Sequence, residues 1–120
     1  MPGCDALAAT PAERLALDRL REATGVTDGP MERHCLRCRL IAARLAGSRG
    51  WVIDGEVLTV AAILHDIGLY PGVATDGPYT ADGAKLARRT LHEPGWAGGR
   101  VELCAEAIDR HHDRRRQLAR

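Results

Sequence analysis

The sequence predicts an all-α protein, a compact bundle of about five helices. Three observations carry that expectation. Ala and Leu outnumber the β-branched residues in a chain that is 45% apolar, and both favour helix. Apolar residues recur at three- and four-residue spacing through several long segments, the period of one helix face. The breaks between those segments are rich in Gly and Pro. A length of 120 residues suits one domain with one modest core. Phe is absent and aromatics are 3%, so Leu, Ile, Val and Ala must fill it.

The first helix opens at "TPAE". Thr10 is the expected N-cap, Pro11 fits the first helical position and Glu13 completes a capping box. Leu15, Leu17 and Leu20 carry its stripe to about residue 23, and "GVTDGP" ends it. The second runs from about Met31 to Ala46, with Leu36, Leu40 and Ala43 on one apolar line and Cys38, Ile41 and Leu45 on an adjacent one. The third begins at Asp54 as N-cap, with Glu56 in its first turn, and continues through "VLTVAAILHDI" to a stop at Gly68. It is apolar nearly all round, which predicts a central buried helix. The loop "GLYPGVATDGPY" follows, long enough in a small domain to imply function or mobility. The fourth helix starts near Thr80 and covers "ADGAKLARRTL". The fifth covers about "RVELCAEAIDRHHDRRRQLA", with Val101, Cys104, Ile108 and His111 or His112 near one face.

The formal charge is +1, from 17 basic and 16 acidic side chains. That balance argues against a general nucleic-acid binder, and the basic tail "RRRQLAR" reads first as a solvated helix end. No apolar run approaches the ~18 residues that span a bilayer, and "MPGCDALAAT" lacks the features of a signal peptide. The expectation is a cytoplasmic protein without membrane or nucleic-acid partners, whose four Cys are reduced.

The candidate chemistry starts from "AILHDIGLY", residues 62–70. An apolar run that contains His65 and Asp66 must compensate a carboxylate, by hydrogen bonds, an ion pair or a metal. His34 shares the face of Cys38 and Ile41 on the second helix, and His111 and His112 bring further imidazoles on the last. Each also has a bland reading: a satisfied core histidine, or a His pair placed by the helix dipole. Cys35 and Cys38 form "CLRC", whose spacing can chelate zinc or support redox chemistry, but with no second CxxC they read first as packing thiols.

Taken together, "HCLRCRLIAARLA", "DGEVLTVAAILHDIGLY", "ADGAKLARRTL" and "AIDRHHD" resemble the HD-domain superfamily of metal-dependent phosphohydrolases. The likeness is to its small members similar to cyanamide hydratase, through "H-x-L-R", "LHDIGL", "DGA" and "AI-x-x-H". It implies a single HD-like domain over 1–120, with an N-terminal helix and loop at 1–30 and the motif region at 31–113. It also implies that His34, His65 and Asp66 bind a divalent ion (manganese, magnesium, iron, nickel, cobalt or zinc). The family's last ligand is an Asp on a further helix. Here the expected substitutes are His111, His112, Asp113 or a residue of another chain, and C-terminal truncation is one reading of the gap.

The expected catalytic set is Asp66 with His111 or His112 as general acid, and the position of Arg37 one turn from His34 and of Lys85 at the start of the fourth helix makes them candidate cations for a phosphoryl group. The leading expectation is hydrolysis of a small nucleotide-like or phosphoester substrate by activated water. One alternative is a hydratase or amidohydrolase acting on a small nitrogenous compound. Another is a non-catalytic HD binding module. A homodimer is expected because five short helices carry more apolar surface than one chain can cover.

Overall fold

The computed structural model describes residues 7–111. Among them are five α-helices and no strand: α1 (Pro11–Thr24), α2 (Pro30–Ser48), α3 (Gly55–Leu64), α4 (Tyr79–Thr90) and α5 (Gly98–Asp109). A single 3-10 turn, Ile67–Leu69, lies between α3 and α4. The all-α expectation therefore holds.

Helix α1 starts as its sequence dictates. The Thr10 side chain accepts from the Glu13 amide, and the Glu13 carboxylate accepts from the Thr10 amide, both reciprocal bonds of a capping box. Gly25 closes the helix in the left-handed conformation, with φ of 72°. Asp54 caps α3 by accepting from the amides of Glu56 and Val57. Arg100 from the start of α5 then clasps Asp54 and Glu56, which ties two helix N-termini together.

Helix α3 is the hub. It packs against α1, α2 and α5, while α4 packs against α5 and the 3-10 turn. Val60, Ile63 and Leu64 are wholly buried, together with Leu20 of α1, Ile67 of the 3-10 turn, Leu91 after α4 and Ile108 of α5. A helix surrounded on three sides has no polar face to spare, which explains why its sequence lacks one.

Two expectations about helix ends need correction. Helix α3 stops at Leu64, so His65 and Asp66 lie just past it and not in its last turn. The cause is the close approach that follows. Gly68 sits so near the start of α4 that a Cβ there would collide with the Tyr79 carbonyl oxygen and lie 2.8 Å from its carbon. The chain must tighten into a 3-10 turn to bring Gly68 in. Similarly, α5 ends at Asp109, leaving His111 in the turn beyond it. The expected continuation of the fifth helix from residue 112 lies outside the described residues.

The apolar lines expected on α2 are only half buried. Cys35 and Leu36 enter the core, but Leu40, Ile41 and Leu45 are exposed by 51%, 68% and 46%. Length explains this. With 19 residues α2 spans roughly 28 Å, against roughly 15 Å for the 10 residues of α3. The second half of α2 overhangs its support.

Candidate metal centre

Three separate elements deliver the site. His34 comes from the second turn of α2, His65 and Asp66 from the break after α3, and His111 from the turn after α5. They meet because α3 lies between α2 and α5 and presents its C-terminal end to both. His34 Nε2 is 3.2 Å from His65 Nε2 and 3.2 Å from Asp66 Oδ2. His65 Nε2 is 3.1 Å from the same oxygen, and His111 Nε2 is 3.3 Å from Asp66 Oδ1.

Hydrogen bonding fixes what these atoms present. His65 Nδ1 lies 2.6 Å from the Ala62 carbonyl, and His111 Nδ1 lies 2.6 Å from the Ile108 carbonyl. A carbonyl oxygen only accepts, so each Nδ1 carries the proton. Each Nε2 is then turned toward Asp66, and in the neutral His65 ring it presents a lone pair. Burial pushes the His65 pKa below its ordinary 6.5, against the raising effects of the Ala62 bond and Asp66, so that ring is neutral at pH 7.

The result is a crowd of acceptors. Both Asp66 oxygens and the His65 lone pair face one another in a half-buried space, with His111 Nε2 beside them. The donors beside them are His34 Nε2, when it carries its proton, and the Tyr79 hydroxyl, 3.3 Å from His111 Nε2. Burial, and after it the Asp66 charge, raises the Tyr79 pKa, which keeps the phenol protonated as a donor. Lone pairs aimed at a carboxylate repel unless something positive lies between them. A divalent cation fits that requirement, and backbone carbonyls behind the imidazoles are the usual outer support of such ligands. The donor set is right for a transition ion: neutral imidazole and carboxylate.

The cluster forms one end of a cleft of about 640 Å³ walled by Ala42, Leu58, Ala61, Ala62, Leu69 and Ala107. Of the expected residues, His34, His65, Asp66 and His111 line it. Arg37 and Lys85 do not: both are exposed and absent from its wall. His112 and Asp113 lie outside the described residues. Two further lining residues are Cys38, expected first as a packing thiol, and Tyr79. The signal for Cys38 was present, since four residues from His34 on one helix is the same face. Cys35, its partner in "CLRC", is 1% exposed, and its Sγ points to the Ile63 carbonyl in the core.

Fold and site together define an all-α bundle with a His-Asp cluster of metal-ligand chemistry, and the chain belongs to the HD domain family, which matches residues 31–119. HD domains as a class are hydrolases that bind divalent metals. The chain is similar to Ribonuclease Y of Chloroflexus aurantiacus, 33% identical over 96 residues, which cover 80% of this chain and 17% of that protein. It thus spans about a sixth of the length of the curated relative it matches. No solved structure matches.

Proposed function

We propose that the protein is a metal-dependent phosphohydrolase that cleaves a phosphodiester. The observation that carries this reading is the convergence of the His34, His65 and His111 Nε2 atoms on the two Asp66 oxygens. A divalent ion bound there supplies Lewis acidity toward a phosphoryl oxygen and makes water nucleophilic at neutral pH. The chain's own residues do the rest. The Ala62 and Ile108 carbonyls hold two imidazoles in one tautomer, Tyr79 offers a proton at its hydroxyl, and the alanine-rich wall limits the water around the reacting bond.

The substrate class follows from what the wall contains. Among the described residues, no Lys or Arg lines the cleft, so a polyphosphate would meet no side-chain cation there. A diester carries one negative charge, which the ion can balance alone. The name of the relative, a ribonuclease, supports the same bond type. Within the expected class of small nucleotide-like or phosphoester substrates we propose a dinucleotide-sized diester, and longer RNA is the other arm of the test.

The apolar wall also favours a second reading, a hydratase-like reaction on a small neutral nitrogenous compound, in keeping with the likeness to cyanamide hydratase. A purified, metal-analysed sample incubated with a diester panel, short RNA and cyanamide separates them. Nucleotide release supports the phosphohydrolase, and urea formation supports the hydratase. Bound metal without turnover of any of them leaves a binding module. His65→Ala should lower metal affinity at least about tenfold and abolish turnover. Unchanged metal content in that variant sinks the metal reading.

We also propose that two copies pair through α2 and α5. These helices bound an open groove of about 870 Å³ lined by Ile41, Leu45 and Leu103, and Leu103 is 56% exposed. The exposed charges of α2 here are basic, Arg37 and Arg44, and the α5 side carries Glu106 beside Arg110. A twofold arrangement laying each α2 on the other copy's α5 matches the apolar stripe.

A further inference from the structure

Helix α2 brings one more ligand-capable atom to the cleft. Cys38 Sγ lies 3.6 Å from His34 Nε2, and the ligand atoms of His34, Cys38 and His65 all lie within 4.8 Å of one another. We propose that the Cys38 thiolate is a ligand of the metal ion held at His34 and His65, which makes this a thiolate-bearing centre selective for zinc, ferrous iron or cobalt. The proposal rests on the metal reading above.

The geometry supports it quantitatively. Ligand bonds of about 2.05 Å to nitrogen and about 2.3 Å to sulfur, at tetrahedral angles, separate neighbouring ligand atoms by about 3.4 Å (N to N) and about 3.6 Å (N to S). The structure has 3.2 Å between the His34 and His65 Nε2 atoms and 3.6 Å between His34 Nε2 and Cys38 Sγ. The sulfur is also 3.9 Å from His34 Nδ1, so it stands beside the ring and needs a rotation about χ1 to meet the ion. Cys38 is half-buried on the cleft wall and has room to make it.

The other described cysteines show what a packing thiol looks like in this fold. Cys35 is 1% exposed and Cys104 is fully buried, and burial alone pushes the Cys104 pKa up to about 12. Burial, and after it the Asp66 charge, raises the Cys38 pKa as well, but its sulfur lies within reach of two imidazoles. On binding, the Sγ–H bond is exchanged for an Sγ–metal bond and the proton leaves to solvent. Soft sulfur then disfavours magnesium and favours ions that take thiolate with imidazole.

Cobalt(II) titration of the chelator-stripped full chain tests this. The expected result is visible d–d absorption together with a near-ultraviolet thiolate-to-cobalt charge-transfer band, neither reversed by excess magnesium. Cys38→Ser should keep the d–d bands, lose the charge-transfer band and weaken binding about 10- to 100-fold. Bound cobalt without the charge-transfer band, or a band that survives Cys38→Ser, overturns the proposal and leaves the metal reading standing. No bound cobalt in either protein ends both. In the unmutated chain, saturating zinc should slow iodoacetamide labelling of Cys38, mapped by peptide mass, at least about tenfold. An unchanged labelling rate overturns the proposal even where the serine variant fails to fold.

Discussion

At His65, position and chemistry meet in one side chain. Its ring is neutral because burial opposes the charged form, and its tautomer is set by a carbonyl one turn back. The pKa of the folded state is below the unfolded 6.5, so the unfolded chain binds the proton more readily. The stability this group contributes is therefore full above pH 6.5 and is lost as pH falls through the lower folded value. Protons also compete with a metal for Nε2. Chelator-treated protein should show a falling melting temperature as pH is taken below 6.5, and the metal-loaded form should release its ion over the same interval. A melting temperature that His65→Ala leaves equally pH-dependent would assign the effect elsewhere. Sequence alone selected His34, His65 and Asp66 as polar residues in apolar surroundings, and left open whether His111 or His112 joined them. It also selected Arg37, one turn from His34, and Lys85, near the start of the fourth helix, because a helical cation looks the same in sequence whether its helix turns it inward or outward.

Between elements, two contacts hold the site's supports in place. Glu32 is 1% exposed at the start of α2 and takes three hydrogen bonds at 2.9–3.2 Å from Arg21 of α1 and one from the Asp28 amide. A buried carboxylate stripped of its cation is costly. Arg21→Met should therefore destabilise the chain by about 3 kcal/mol in urea unfolding. Adding Glu32→Met should recover part of that, because the stranded charge is gone. The second contact is Gly68 against Tyr79. Gly68→Ala must push the 3-10 turn off α4, at a cost of about 3 kcal/mol. It should also weaken metal binding, since Asp66 and Tyr79 move apart. A variant with unfolding and metal affinity both unaltered would show that the turn has slack. The loop after this turn is pinned as well: Asp82 accepts from the Thr75 amide and hydroxyl at 2.7 Å each, bonds that hold its carboxyl below the ordinary carboxylate range. The long "GLYPGVATDGPY" segment is thus anchored at α4, a connection that loop composition does not reveal.

For the molecule as a whole, the overhang of α2 is the main departure from a closed bundle. The exposed Leu40, Ile41 and Leu45 are not covered by the shorter α3, and Ile41 and Leu45 border the open groove toward Leu103 of α5. If a second copy covers them, sedimentation should give a dimer mass. Ile41→Glu with Leu45→Glu should convert it to monomer while leaving helix content unchanged. A monomer at all concentrations in the unmutated chain would remove the pairing. Among the described residues, no helix is long and apolar enough to cross a membrane.

The sequence by itself determined the helical class, the capped starts of α1 and α3, the burial of α3 and which metal-competent side chains stand among apolar neighbours. Those depend on local period, capping chemistry and polarity, all of which are written along the chain. Only the tertiary structure decided that the His-Asp pair lies beyond its helix, that His111 reaches the far Asp66 oxygen, and that Cys38 and Cys35 part company. Each of those depends on where one helix ends relative to its neighbour. A few ångströms there decide whether a side chain meets the core, the cleft or water.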